Sequence, residues 1–346
     1  MAKNIAKEYL NERAEKRNEK RINKQMEKEA RKQLREMIPL KDRITKKLVK
    51  KVIVAILIYL VLFDLAFVFL YPFITMIIDS VKSDADLLNT TVKWIPSSIE
   101  WSNFKVAFEG LSYSKYIWNS VLVTGVATIG HAFVCSFIGY GLARYKFPGK
   151  NLIFLGVVLS MLVPTQVLIF PLYQTYGGWK WLDTYLPLLV PTFVGFGLRG
   201  GFYIFLFRQF FMGLPWEMEE AARIDGCGCF KTFFRIMRPM ARSSILVCTV
   251  LSIVWHWNDY FEPNIYLNQS PQLLLLPARL PSMYEQLGIM AGEAEGIELA
   301  AAGDVIINQA ICMASTFIVI LPLLIAYMFV QKQFMEGVER SGLTGM

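Results

Sequence analysis

Histidine, cysteine and charge are all scarce in this sequence. Its 346 residues include two His and five Cys, and 18% are charged while 54% are hydrophobic. A soluble domain averages about 25% charged and roughly 45–50% apolar residues, so a water-soluble enzyme is not expected. Two histidines cannot build a catalytic or metal-binding cluster, and no paired carboxylates or nucleophile motif take their place. Cys135, Cys227, Cys229, Cys248 and Cys312 give no disulfide framework, because none falls in a loop expected outside the cell. Cys227-Gly228-Cys229 has no second pair or His nearby to complete four zinc ligands, so no metal is expected. The phosphate-cradling G-x-x-x-x-G-K-[ST] run is missing too, so the chain is not expected to hydrolyse ATP. No internal repeat occurs, and the first apolar run starts after residue 51 and is too long for a signal peptide.

What charge there is lies at one end. Residues 1–51 hold 18 Lys+Arg against 8 Asp+Glu, a net +10, whereas the whole chain carries +8. A basic arm thus precedes a nearly neutral apolar body. The body has no basic face, so no nucleic-acid partner is expected. The arm reads as a solvated tail whose basic residues lie near anionic lipid headgroups.

Six stretches of the body are long and apolar enough to cross a bilayer, which takes about 20 residues: 52–78, 119–143, 152–173, 185–207, 243–265 and 305–330. The loops between them alternate in charge. Loops 144–151 and 208–242 carry +3 and +2, while 79–118, 174–184 and 266–304 carry −1, 0 and −4. By the positive-inside rule the fold class is an all-α polytopic membrane protein with both termini in the cytosol and a cytosolic tail at 331–346. Prolines interrupt the third span (Pro164, Pro171) and the fourth (Pro187, Pro191). Such breaks serve either as packing kinks or as the lining of a pathway.

Loop 208–242 carries the sharpest local signal. Pro215 favours a helix start, and Glu217, Glu219 and Glu220 suit its first turns, where the helix dipole attracts negative charge. Asp225-Gly226 reads as its end and turn. A second short helix, 229–237, places Phe230, Phe233, Phe234 and Met237 at helical spacing before Pro239 stops it. So short a helix is marginal in water. The pair therefore reads as a docking element that needs a partner surface.

EAARIDG at 220–226, followed by Ile236 and Pro239, resembles the EAA signature of permease subunits from binding-protein-dependent ABC importers, best of all the carbohydrate branch of MalG type. Asn119-Ser120, GLARYKFPGKN at 141–151, VPTQVLIFPLY at 163–173, RQFF at 208–211, WND at 257–259 and the closing VQKQFMEGVERSGLTG at 330–345 resemble the family in the same order. Arg238 stands where the family usually has Leu, the arm 1–51 is longer than usual, and FGLRGG at 196–201 is not typical.

The resemblance implies a six-helix permease domain over 52–330. Its coupling helix would sit in a cleft of a cytosolic ATPase dimer, which supplies the ATP site. Glu220 would then pair with basic groups of the ATPase, Ala221 and Ala222 would permit close approach, Asp225 and Gly226 would form the turn, and Ile236 and Pro239 would belong to the second helix. A second permease subunit, making a heterodimer, and an extracellular solute-binding protein complete the implied assembly, in a bacterial cell membrane. A sugar or oligosaccharide is the implied substrate; peptides or amino acids, or an ion-coupled secondary transporter, are the alternatives.

Residues for the substrate path are read from location. Arg199 is an ionisable group within a span, with an ion pair to Asp64, to Asp259 or to the partner subunit as its structural alternative. His131, Trp257, Asn258 and Asp259 join it, the Asn-Asp pair read first as interhelical hydrogen bonding. Trp255 and Tyr260 suit either sugar stacking or an interfacial belt. Tyr113, Tyr116 and Trp118, the Leu-rich 273–276 and the acidic 293–298 are expected to face the solute-binding protein.

Overall fold

A computed structural model describes residues 25–29, 40–286 and 301–343. All regular structure among them is helical, and the chain divides into two units, 1–72 and 73–346. Helix α1, Leu40–Ser80, contains the apolar stretch Leu48–Ser80, whose most apolar window has no buried residue. At 1.5 Å per residue its 33 residues span about 50 Å, more than the roughly 30 Å of a bilayer's hydrocarbon core.

Helix α2, Tyr113–Arg144, is rich in small residues at its buried positions. It packs most extensively against α5, Gly200–Gly213, as small residues allow in membranes. Between them in sequence lie α3, Lys150–Leu162, and α4, Thr165–Gly178, which meet at 105°. The bend falls on Val163 and Pro164, both extended. The proline disfavours helical backbone in the residue before it.

The fourth expected span, 185–207, is not one helix. It consists of a short helix Leu186–Leu189, a 3-10 turn Val190–Val194, a run with positive φ at Gly195, Gly197 and Arg199, and only then α5. Pro187 and Pro191 remove backbone donors, and the glycines accept the left-handed turns.

Beyond α5 come α6, Glu217–Ile224, and α7, Cys229–Thr232, the latter continued by a π-type turn Phe233–Met237 and the short helix Arg238–Met240. Helix α8, Arg242–Asn258, then turns away by 78°. The last elements are α9, Phe261–Tyr266, and α10, Ala301–Leu343, which contains the apolar stretch Gln309–Glu336. Three described helices are long and apolar enough to cross a membrane, or five if each bent pair is one span.

Two apolar clusters hold residues 73–346 together. One joins Leu111, Tyr116, Tyr176, Trp257, Tyr266 and Leu276; the other joins Tyr140, Phe207, Phe211, Phe233 and Met237. The first corrects an expectation. Leu274, Leu275 and Leu276 are buried, not presented to a partner. Asn119 Nδ2 donates to the Gln272 and Leu274 carbonyls, and Leu276 N donates to Ser120 Oγ at 2.7 Å, so the Asn-Ser pair pins that segment. Of the aromatic trio only Trp118 is exposed; Tyr113 is half-buried and Tyr116 buried. The acidic stretch 293–298 lies outside the described residues.

Candidate functional site

The two short helices expected in loop 208–242 form, the second passing into a π-type turn, and their faces are now assigned. Helix α6 opens with three acids in its first turn. It closes on Asp225 with Gly226 at φ 73°. Cys227 N donates to the Ala222 carbonyl at 2.9 Å and Gly226 N to the Arg223 carbonyl at 3.0 Å, the paired bonds of a Schellman ending. Nothing lies within 4 Å of where a Gly226 side chain would begin.

Glu219 and Ala222 face inward, while Glu217, Glu220, Ala221 and Ile224 face outward. Ile224 is 86% exposed, an apolar residue that no described residue covers. The inward Glu219 meets Arg144 at the end of α2. Its Oε1 lies 3.6 Å from Arg144 Nε, and the two side chains are 3% and 0% exposed. The same guanidinium donates to the Leu214 carbonyl and lies 4.4 Å from the centre of the Trp216 ring. Lys150 Nζ donates to the Ala143 and Tyr145 carbonyls at the end of α2.

The aromatic stripe of the second helix divides in two. Phe233 and Met237 are fully buried, whereas Phe230 and Phe234 are exposed and stack on Phe137 and Phe133. The element runs past Pro239 through its π-type turn, which precedes a proline unable to bond the Arg235 carbonyl. Ile236 is half-buried and Pro239 exposed.

Residues read as a substrate path separate into three settings. His131 and His256 form a buried pair: His131 Nε2 lies 3.0 Å from the Phe196 carbonyl and Nδ1 lies 3.2 Å from His256 Nε2. Since a carbonyl only accepts, a neutral His131 donates from Nε2 and accepts from His256 at Nδ1. The pair ties α2 and α8 to the broken fourth segment and lies within the protein.

Trp257 is buried and donates from Nε1 to the Val319 carbonyl at 3.1 Å. The interhelical bond expected of Asn258 and Asp259 is therefore made by their neighbour. Asn258 bonds the Val254 carbonyl of its own helix, and Asp259 Oδ1 accepts from the Phe261 and Glu262 amides at the start of α9.

Arg199 stands apart. It is exposed, has φ 63°, and lies over Trp255 at 5.0 Å. Among the described residues it makes no ion pair, and it lines a cavity of about 430 Å³ with Gln166, Tyr176, Tyr266 and Glu262. Sequence reasoning gave Glu262, Arg144 and Ile224 no role in a site. An acid three residues after Asp259, a basic residue ending a span and an isoleucine inside a charged loop were the available signals.

A family model described as the inner membrane component of binding-protein-dependent transport systems matches residues 135–340. The chain belongs to this family. It is 30% identical over 281 residues to the arabinooligosaccharides transport system permease protein AraQ of Bacillus subtilis, covering 80% of this chain and 92% of that one. It is also 30% identical over 202 residues to the probable starch degradation products transport system permease protein AmyC of Thermoanaerobacterium thermosulfurigenes, covering 58% and 72%. The fold matches a chain of a bacterial ABC transporter involved in the import of the acidic polysaccharide alginate, with a TM-score of 0.63, 22% identity, and coverage of 82% and 96%. This permease is thus an inner-membrane transport component. Its family implies an ATPase and a solute-binding protein as partners.

Proposed function

We propose that this permease is a subunit of an ATP-driven, binding-protein-dependent importer of sugars or oligosaccharides. It pairs with a second, non-identical permease subunit, spans the membrane six times and keeps both termini in the cytosol, where loop charges and the +10 arm are concentrated. The chain holds no ATP site of its own; ATP is bound and hydrolysed by a separate cytosolic ATPase dimer. The oligosaccharide systems named among its relatives support the substrate class.

The observation that carries this reading is the split of α6 into a fastened face and a bare one. Glu219 and Ala222 hold it from behind. Glu220, Ala221 and Ile224 are left for the ATPase, with Asp225 and Gly226 shaping the turn and Ile236 seating the second helix ahead of Pro239. Glu220 offers a charge, Ala221 a close approach and Ile224 an apolar anchor.

Two substitutions test it. Glu220→Lys reverses the outward charge. Gly226→Tyr puts a bulky group at a left-handed position that costs roughly 1–2 kcal/mol of local strain and meets no neighbour within 4 Å. Both variants are expected to reach the membrane at normal levels, to lose the ATPase on co-purification, and to import less than a tenth of the wild-type amount. ATPase retained with normal uptake in both would remove the coupling assignment.

A further inference from the structure

On the topology proposed above, the third and fourth segments break at a similar depth. Leu162 ends α3, 13 residues long, and Arg199 precedes α5, 14 residues long. Each break therefore lies about 20 Å along its helix from Lys150 or from Gly213, well inside a hydrocarbon core of roughly 30 Å. They also touch. A side chain at Gly201 would begin 2.5 Å from Ser160 Oγ and 3.0 Å from the Val157 carbonyl, so glycine lets α5 reach α3 here.

Unwound backbone at membrane depth is tolerated where it lines a water-filled cavity, and the 430 Å³ cavity lies at this junction. Its polar lining includes Ser160, Thr165, Gln166, Arg199, Glu262 and Tyr266. Arg199 and Glu262 face one space without an ion pair between them. Arg199 is held by a left-handed backbone and the Trp255 ring; Glu262 is held through its amide on Asp259. Ionisable side chains that line one cavity in a membrane protein without pairing mark a pathway.

We infer that this cavity is a saccharide subsite of the translocation path, in which Arg199 donates to sugar oxygens, Glu262 accepts from sugar hydroxyls, and Gln166 does both. The inference rests on the reading of the chain as a sugar importer. The chemistry fits a neutral polyol. A hydroxyl both donates and accepts, and a guanidinium, a carboxyl group, a carboxamide and hydroxyls together offer it both donors and acceptors. The volume falls within the roughly 300–1,000 Å³ of small-molecule sites.

The test uses the complete importer in proteoliposomes, with its binding protein saturated by radiolabelled arabinotriose or maltotriose. Arg199→Gln, Glu262→Gln and Gln166→Ala are compared with wild type for sugar imported and ATP hydrolysed. The expected result is at least a tenfold fall in sugar moved per ATP for Arg199→Gln and Glu262→Gln and a smaller fall for Gln166→Ala. ATP hydrolysis should stay within twofold of wild type. A structural role alone would lower assembly and ATP hydrolysis together, and that outcome overturns the subsite, as does unchanged sugar per ATP. Should the wild-type importer move glutamate or a dipeptide and neither sugar, the substrate class itself falls, which is a separate result.

Discussion

Replacing Arg144 by methionine will detach the docking element and cut transport by a hundredfold or more, with the spans still inserted. Arg144 and Glu219 are the one buried ion pair between α2 and α6 among the described residues. Methionine keeps an apolar side chain of similar length and removes the charge together with its contacts to the Leu214 carbonyl and the Trp216 ring. Glu219 is then left 3% exposed with no cation within 4 Å, and neither of its oxygens has a hydrogen bond to fall back on. Breaking such a pair from one side costs about 3–5 kcal/mol, while a docking helix of 8 residues has little stability of its own. The helix therefore swings out so that Glu219 regains water. Limited proteolysis will show this as new cleavage near residues 214–228. The double variant Arg144→Met, Glu219→Leu removes both charges at similar volume and should regain most of the protection, since replacing a buried pair by apolar groups is often neutral. Unchanged protection and transport in Arg144→Met would show that the pair holds nothing.

This pair shows where sequence reasoning stops. The acids at 217, 219 and 220 were legible as a helix start, and EAARIDG as a docking signature. Which acid faces out depends on the phase of α6 around its axis. That phase is set by Glu219 turning in to Arg144 of α2, far away in sequence, with Ala222 buried on the same face. In the same way Phe233 and Met237 could not be told from Phe230 and Phe234 by spacing alone. All four lie on an apolar stripe, and only tertiary packing decides that two are core.

The spans repeat the lesson. Hydropathy marked six apolar stretches, because a bilayer demands length and apolarity whatever the neighbours do; three described helices meet that demand, or five if each bent pair is one span. It could not say that 185–207 is broken backbone, though Pro187, Pro191, Gly195 and Gly197 were in view. A proline in a membrane helix is compatible with a kink or with a break, and the choice depends on what receives the freed backbone groups. Here His131 receives the Phe196 carbonyl. Leu274–Leu276 were misplaced for a similar reason. A leucine run beside polar loops reads as a partner surface until Asn119 and Ser120 are seen to hold it inside.

Gly139 is the second position where one atom decides the fold. It faces α5, the helix against which α2 packs most extensively. A β-carbon built on it lies 2.6 Å from Phe207 Cβ, 3.0 Å from the Arg208 amide nitrogen and 3.1 Å from the Ile204 carbonyl oxygen. Backbone atoms cannot rotate away as a flexible side chain would, so the two helices must separate. Forced overpacking of this kind costs about 1–3 kcal/mol for a methyl group, set against a gain of up to about 1 kcal/mol from alanine's helix propensity. Gly139→Ala is therefore expected to be destabilising on balance, and Gly139→Leu to prevent the α2–α5 interface from forming. Thermal unfolding of the detergent-solubilised protein, followed by size-exclusion fluorescence, should show a lowered midpoint for alanine and aggregation for leucine. The chain supplies its own controls. Gly125 and Gly141 lie on the same helix with nothing within 4 Å of where a methyl group would sit, so Gly125→Ala and Gly141→Ala should leave the midpoint unchanged or raise it. If Gly139→Leu unfolds at the wild-type temperature, α2 and α5 do not meet here. The docking element would then lose its anchor as well, because Arg144 reaches Glu219 only from a correctly seated α2.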